Sequence, residues 1–198
     1  MKMIDVMKQN KPYCSSYSDN PSELQTIAKT LCWKYNQTSP SSHEERAMIL
    51  DELLGTYNPS AYIEPMFFCD YGFNIHMKGF VFINHNCVIL DTSPVIIVQG
   101  VFIGPGVCIA CAGHAIHTEQ RLEGIGTSSP ITIEDNVWIG ANATLCGGVT
   151  IGESSIVGAG SVVKQDIPSG VIAAGVPCKV IREVTDADRI DHGQLFHG

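Results

Sequence analysis

The sequence predicts a mostly β fold, a parallel β-solenoid preceded by a short helical region, from a six-residue period and from the segments that interrupt it. The period is carried by aliphatic residues at every sixth position: Ile133, Ile139, Leu145, Ile151, Val157 and Val163. Upstream, two shorter groups keep the same spacing: Ile97, Ile103 and Ile109, and Met77, Ile83 and Ile89. A period of six fits neither a helix nor an alternating strand, but it is typical of hexads that each form one short strand and one corner.

The residues beside the aliphatic positions fit the same geometry. Glycine follows the aliphatic residue at positions 140, 152 and 158. If these glycines lie at corners, a side chain in their place would clash with closely approaching backbone or would force a left-handed conformation. The aliphatic side chains are therefore expected to point into the narrow axis and to stack on one another.

The N-terminal part of the chain lacks this period and is predicted to be helical. One helix face is marked by apolar residues three and four positions apart: Leu24, Ile27 and Leu31. Ser42 followed by Glu45 is a capping-box pattern for a second helix, and Gly55 supplies its stop. Because these apolar faces are too small to stand alone, the helices should pack on the segment that follows.

The period also divides the chain. We expect a helical segment over residues 1–60, a β-helical domain over 61–184 and a polar tail over 185–198. Within the domain the period is lost between Ile109 and Ile133, and residues 113–129 are polar and rich in glycine. A solenoid can absorb such a stretch only as a loop extruded from one corner, and loops of this size are usually functional.

Composition excludes several classes of protein. The chain has 198 residues, of which 44% are apolar and 16% charged, so it should be folded. A net charge of −8 argues against a general nucleic-acid binder. Neither a signal peptide nor a membrane span is recognisable, so we expect a cytoplasmic protein whose eight cysteines stay reduced.

Several short runs carry a family resemblance: Cys69-Asp70-Tyr71-Gly72, Asn74-Ile75, Asn84 before Cys87-Val-Ile-Leu-Asp91, Asn136-Val-Trp-Ile-Gly140, and Ala174-Gly-Val-Pro-Cys-Lys-Val-Ile-Arg182. In this order, over roughly residues 24–184, they resemble the galactoside and maltose O-acetyltransferases. The resemblance implies a left-handed β-helix, a homotrimer with active sites between subunits, acetyl-CoA as co-substrate, a sugar acceptor and no metal.

The resemblance assigns catalysis to His114, in the Gly-His step that opens the extruded loop. The chemistry agrees, because a sugar hydroxyl is a poor nucleophile and a histidine, with an ordinary pKa of about 6.5, is largely free at neutral pH to take its proton. Hydroxyl and thioester can then react directly in one ternary complex, without a covalent enzyme intermediate.

A metal site is the alternative interpretation of the histidines. His114 and His117 form a His-x-x-His pair, and His76 and His85 could supply further ligands across a subunit boundary, as in β-helical carbonic anhydrases. That interpretation leaves Trp138 and the basic residues near the C-terminus unexplained. We therefore expect His117 to be a loop residue near the site, and His43, His192 and His197 to be solvated.

The resemblance also implies a set of residues that bind coenzyme A: Trp138, Ala141, Ala159, Lys179 and Arg182. Lys164 is a candidate substitute beside the phosphates, because Lys164-Gln165 stands where the family usually has Thr-Lys. Trp138 would lie beside the pantetheine arm, and the two alanines would leave room for it along the coil. The basic residues would meet the phosphates. The alternatives are interface packing for Trp138 and ordinary solvated charges for the lysines and arginine.

The acceptor side combines matches with departures. Asp70 and Asn84 match family positions that line the acceptor pocket. Ser15 stands where an aspartate is usual, although a one-residue shift would let Asp19 replace it. Two further departures are Gln25, where galactoside enzymes carry arginine, and Ile125-Gly126, where many relatives have a glutamate.

The function predicted from the sequence is transfer of an acetyl group from acetyl-CoA to a sugar hydroxyl. The alternatives are an acetyltransferase for another hydroxyl or an amine, such as an antibiotic or a nucleotide-linked amino sugar, and an inactive binding solenoid. The helical start favours a simple glycoside, and the set of matched site residues argues against loss of activity.

Overall fold

A computed structural model of the protein describes residues 2–191 and residue 193. It contains a parallel β-helix, as predicted from the six-residue period. No helix among these residues has the length and apolar character needed to cross a membrane. His192 and His197, expected from the sequence to be solvated, lie outside the described residues.

The strands of the β-helix form three sheets that the chain visits in turn. Sheet I contains β4 (Ile75–Met77), β7 (Val95–Ile97), β12 (Ile131–Ile133) and β15 (Thr150–Ile151). Sheet II contains β2 (Tyr62–Ile63), β5 (Val81–Ile83), β8 (Val101–Ile103), β13 (Trp138–Ile139), β16 (Ile156–Val157), β18 (Val171–Ala174) and β19 (Lys179–Glu183). Sheet III contains β3 (Phe68–Cys69), β6 (Val88–Leu90), β9 (Cys108–Ala110), β14 (Thr144–Cys146) and β17 (Val162–Val163). Each coil therefore has three corners, named below by the two sheets they join.

The aliphatic residues of the six-residue period form the core, as predicted. All six from Ile133 to Val163 are 0% exposed, and they stack along the axis with the earlier groups. The corner glycines are there because successive coils come close together. A Cβ at Gly140 would lie 2.5 Å from the amide nitrogen of Ala159, so only glycine fits. Gly140, Gly152 and Gly158 are not in the left-handed conformation. A second series of residues, also six apart, has left-handed backbone: Asn136, Asn142, Gly148, Ser154 and Gly160.

The helices are α1 (Met3–Met7), α2 (Ser22–Gln37), α3 (His43–Leu53) and α4 (Thr118–Leu122). The buried face of α2 consists of Ala28, Leu31, Cys32 and Tyr35. Ile27 is 53% exposed, so the face predicted from Leu24, Ile27 and Leu31 was wrong by about one residue. The capping box at Ser42 was also wrong, because its side chain makes no cap hydrogen bond.

Helices α2 and α3 pack on the first coil of the β-helix through polar contacts as well as apolar ones. The Asn36 side chain exchanges two 2.9 Å hydrogen bonds with the backbone of Phe67. Arg46 is buried, and its Nη2 donates to the Ile63 carbonyl oxygen at 2.7 Å and to the Tyr35 hydroxyl at 2.8 Å. These bonds fix the N-terminal segment against sheets II and III, where it can contribute to a site.

Candidate active site

The extruded loop is organised by a small antiparallel sheet that the sequence analysis did not predict. It consists of β10 (Ala112–His114), β11 (Ile125–Ser128) and β1 (Tyr13–Ser16), with β11 in the middle. The N-terminal segment, predicted to be helical, thus supplies one strand to the loop. This loop sheet leaves the β-helix at the corner between sheets III and I, after β9.

The pairing of the loop sheet brings Ser15 and His114 together. Both residues pair with Gly126, one from each side of β11. Tyr17, which follows β1 in a short 3-10 helix (Tyr17–Asp19), reaches the same point, and its hydroxyl is hydrogen-bonded to Nδ1 of His114. The two rings meet edge to face, with centroids 5.6 Å apart and planes at 87°. The imidazole is therefore held at one nitrogen while His114 remains exposed at the surface.

His114 borders a cavity of about 300 Å³ whose lining includes several side chains that can form hydrogen bonds. Ser15 and Asp70, two other candidates for this part of the site, line the same cavity. Its further lining includes residues that the sequence analysis did not assign to the site: Tyr13, Tyr17, Asn20, Tyr71 and Thr92. The sequence analysis missed Tyr13, Tyr17 and Asn20 because they lie in or just after β1, a strand that has no periodic signal. Tyr71 and Thr92 lie at corners.

Asp70 is the carboxylate of this cavity. It follows β3 at the corner between sheets III and I, and it accepts a 3.3 Å hydrogen bond from Nε2 of Gln25. Lys29 in turn donates to Oε1 of Gln25 at 3.1 Å. Burial raises the pKa of Asp70 above its ordinary value, while the Gln25 hydrogen bond and the charge of Lys29 act in the opposite direction. Gln25, a departure in the sequence, is thus a direct hydrogen-bond partner of Asp70.

A second aspartate, Asp91, supports this corner from inside. It is fully buried and accepts backbone hydrogen bonds from Asp70, Tyr71 and Asn74, the first two at 3.1 and 2.8 Å. Burial raises the pKa of Asp91 to about 7, although those N–H donors favour its ionised form. Asp91 fixes the backbone that carries Asp70 and does not line the cavity itself.

Two residues considered for the acceptor pocket lie elsewhere in the single chain. Asn84 follows β5 at the corner between sheets II and III, and its side-chain oxygen accepts from the amide of His85 at 2.8 Å. It is not among the residues that line the cavity at His114. Asp19 is exposed and does not line that cavity either, whereas its neighbour Asn20 does.

Except for Lys164, the residues assigned to coenzyme A lie on sheet II and at the corner that follows it. Trp138 lies on β13 and is 53% exposed. Its neighbours on the successive strands of sheet II are Ile156, Ile172 and Arg182, each paired with the one before it. Because neighbouring strands are about 4.8 Å apart, Trp138 and Arg182 belong to one row about 14 Å long. Ala141 and Ala159 occupy the same corner on successive coils, where the Gly160 amide donates to the Ala141 carbonyl oxygen at 2.8 Å.

The basic residues are exposed but differ in their surroundings. Arg182 makes a bidentate ion pair with Asp188, with distances of 2.7 and 2.6 Å, so a phosphate would have to share its guanidinium. Lys179 lies on the same strand, β19. Lys164 follows β17 at the corner between sheets III and I, away from that strand. The structure thus groups Lys179 with Arg182 and leaves Lys164 apart.

The histidines considered as metal ligands are dispersed. Nδ1 of His76 is hydrogen-bonded to the Thr56 hydroxyl at 3.0 Å, and Nδ1 of His85 contacts the Pro65 carbonyl oxygen at 2.9 Å. His117 is exposed at the start of α4. Over residues 2–191 and 193, no group of three or more His, Cys, Asp or Glu side chains could hold a metal ion.

A parallel β-helix built from six-residue repeats places this chain in the class of hexapeptide-repeat transferases. Residues 130–165 match the family described as bacterial transferase hexapeptide (six repeats). Residues 7–58 match the maltose acetyltransferase hexapeptide capping motif.

Relatives that match this chain over most of their length identify the family within this class. A Saccharomyces cerevisiae protein, provisionally named an acetyltransferase, is 42% identical over 188 residues, which are 95% of this chain and 96% of that protein. A solved galactoside acetyltransferase in complex with coenzyme A is 40% identical, with a TM-score of 0.87 over 95% of this chain and 94% of its own. A hexapeptide-repeat acetyltransferase from Vibrio cholerae O1 biovar eltor, complexed with acetyl coenzyme A, is 33% identical with a TM-score of 0.87, over 94% of this chain and all of that one. This chain belongs to the galactoside and maltose O-acetyltransferase family, which confirms the resemblance stated from the sequence.

Proposed function

We propose that this protein transfers an acetyl group from acetyl-CoA to a hydroxyl of a sugar, with His114 as the general base. The observation that carries the proposal is His114 at the edge of a polar cavity that also contains Asp70 and Ser15. Hydroxyl-rich ligands need such hydrogen-bonding groups around them, and Asp70 can accept from a sugar hydroxyl. Family membership and the coenzyme A complexes of the related structures support the acetyl donor.

The reaction is a direct transfer in a ternary complex. Acetyl-CoA supplies the acetyl group as a reactive thioester. The free imidazole nitrogen of His114 takes the proton of the acceptor hydroxyl as its oxygen attacks the thioester carbonyl carbon. The carbon–sulfur bond breaks, and the proton passes from His114 to the leaving sulfur. The products are the sugar acetate and free coenzyme A.

Several side chains fit coenzyme A at sheet II. Trp138 offers a large exposed apolar surface for the pantetheine arm, and Ala141 and Ala159 leave the neighbouring corner uncrowded. Lys179 provides a cation for phosphates on this sheet, and Arg182 can join it if it is released from Asp188. Lys164 offers a further cation, but at the corner between sheets III and I.

We further propose a homotrimer in which each active site is shared. His114 belongs to the corner between sheets III and I, whereas Asn84, Ala141 and Ala159 belong to the corner between sheets II and III. One chain therefore presents the two halves of the site at different corners, and a neighbouring copy would bring them together. Exposed apolar residues of the loop support the homotrimer, because such residues mark interfaces between proteins. In a single chain Ile116 is 96% exposed and Leu122 83% exposed.

The experiment is release of free thiol from acetyl-CoA in the presence of a galactoside, maltose or glucose, with His114→Ala and His117→Ala as a matched pair. Loss of a general base should lower kcat about 10²- to 10⁴-fold, while loss of the exposed His117 should cost far less. An active His114→Ala enzyme beside a dead His117→Ala enzyme would show that the base is misassigned. Thiol release with an amine acceptor and with none of the sugars would favour the alternative substrate class.

A further inference from the structure

The contact between Tyr17 and His114 has a function that the general-base proposal leaves open. A neutral imidazole carries one proton, which sits on either Nδ1 or Nε2, and the hydrogen bond at one nitrogen decides which of the two is free. In this protein the hydrogen bond at Nδ1 is made by the Tyr17 hydroxyl. The side chain that faces Nδ1 of His114 is therefore a phenol from the N-terminal segment.

The backbone holds Tyr17 in place for this contact. Its amide donates to the Gly124 carbonyl oxygen at 2.9 Å, which ties the 3-10 helix to the far end of the extruded loop. The ring lies over Gly126, where a Cβ would come within 2.8 Å of Tyr17 Cε1. Glycine at position 126 thus leaves the space that the ring fills.

We infer that Tyr17 is a positioning residue for the transfer reaction: its phenol oxygen accepts the Nδ1 proton of His114 and so leaves Nε2 free to act as the base. The inference rests on the proposed function of His114. The opposite arrangement, with the phenol donating to Nδ1, would put the imidazole proton on Nε2 and leave no free nitrogen for the acceptor hydroxyl.

The same hydrogen bond contributes during the reaction. When Nε2 takes the acceptor proton, the imidazole becomes positively charged, and the Nδ1–H···O bond becomes charge-assisted and stronger. Tyr17 then stabilises the state in which His114 carries the proton. No carboxylate is placed against Nδ1 among the described residues, since Asp70 is hydrogen-bonded to Gln25.

The test is the Tyr17→Phe variant, which keeps the ring and removes only the oxygen. We expect kcat to fall about tenfold, because a hydrogen bond to a charged group is lost from the transition state, while KM for acetyl-CoA changes less than about twofold. The assay uses acetyl-CoA with the best sugar of the galactoside, maltose and glucose panel. Tyr57→Phe, a half-buried tyrosine outside the site, is the control and should keep wild-type kcat.

A spectroscopic measurement separates positioning from packing. Nitrogen NMR of protein labelled at histidine, assigned with His114→Ala, reports which ring nitrogen of the neutral imidazole carries the proton. We expect the Nδ1–H form in the wild type and a shift toward the Nε2–H form in Tyr17→Phe. Gly126→Ala, which pushes the ring away, should shift the tautomer in the same direction.

Three results would overturn the inference: an Nε2–H form in the wild type, an unchanged tautomer in Tyr17→Phe, or a Tyr17→Phe enzyme with wild-type kcat. A lower kcat with an unchanged tautomer would mean that Tyr17 only packs against the loop. These outcomes are distinct from failure of the proposed function, because the tautomer is read without substrate. If His114→Ala kept its activity, His114 would not be the general base, and that result would not depend on Tyr17.

Discussion

The regular coils over residues 130–165 and the loop sheet differ in how the sequence encodes them. In the coils, each structural role recurs every six residues, so inward, corner and outward positions can be recognised from spacing alone. The loop sheet is assembled once, from β1 near the N-terminus and two strands about a hundred residues further on. Its pairing depends on long-range contacts that leave no periodic trace.

The two regions are also expected to contribute differently to stability and activity. The coils bury an unbroken column of aliphatic side chains, whereas the loop sheet presents His114, Tyr17 and Ser15 at an open cavity. Substitutions should therefore separate the two regions, with stability lost in the coils and activity lost in the loop. The predictions below test this division.

The largest effect on stability is expected from Leu145→Ala in the coil. Leu145 is 0% exposed and sits in a close-packed column, so its truncation should lower the free energy of unfolding by about 2–5 kcal/mol. Glu123→Ala, an exposed position in the extruded loop, is the matched control and should change it by less than about 0.5 kcal/mol. Denaturant unfolding measures both. Equal losses in the two variants would mean that the loop is part of the folding core.

A large effect on activity is expected from mixing two inactive variants. His114→Ala removes the base at one corner, and Ala159→Trp fills the proposed coenzyme A path at another. If each site takes one half from each of two neighbours, a trimer that contains both chains should have one intact site out of three. Co-expression of the two differently tagged chains, followed by purification on both tags, provides the mixed species for the thiol-release assay.

Recovery of activity requires both a stable oligomer and a shared site. Sedimentation of the mixed sample should show the mass of three chains. A stable monomer, or trimers that stay as inactive as the parent variants, would contradict the shared-site model. In that case the separation of His114 and Ala159 within one chain would need another explanation.

Much of the fold was accessible from the sequence because the coils repeat. The aliphatic column was predicted residue by residue, and so was the interruption that becomes the extruded loop. The reason for the corner glycines was only partly anticipated. Gly140 is required by the close approach of Ala159, while the left-handed positions three residues after each aliphatic residue, such as Asn136 and Asn142, were not recognised.

The site was accessible only where it coincides with a motif. His114 and Asp70 lie in short runs that resemble the galactoside and maltose O-acetyltransferases, so they could be named as candidates from the sequence. Tyr17 could not be inferred, because nothing local in residues 13–19 indicates a strand or its partner. Likewise, the helical pattern in α2 did not reveal that Gln25 faces Asp70, since that contact joins residues 45 positions apart.

The smallest of the three effects concerns the acceptor and the residue at position 15. Ser15 lines the cavity with Asp70, and an aspartate there would give sugar hydroxyls a second charged acceptor, worth roughly 1.5–3 kcal/mol. Asp70 would repel that new charge, so the lower end of this range applies. We expect galactosides and maltose to bind the wild-type enzyme weakly, with a high KM for the sugar. Ser15→Asp should lower that KM about tenfold and leave KM for acetyl-CoA unchanged.

Asp19→Ala is the matched variant, because Asp19 is the other acid that could serve this pocket. Its side chain is exposed and does not line the cavity, so the substitution should change the kinetic constants little. The measurement is the full dependence of thiol release on sugar concentration for the wild type and both variants. Strong wild-type activity on maltose or a galactoside that disappears in Asp19→Ala would show that the acid has moved along the segment after β1. The N-terminal segment would then shape the acceptor pocket differently from the structure described here, and Ser15 would have no part in selecting the sugar.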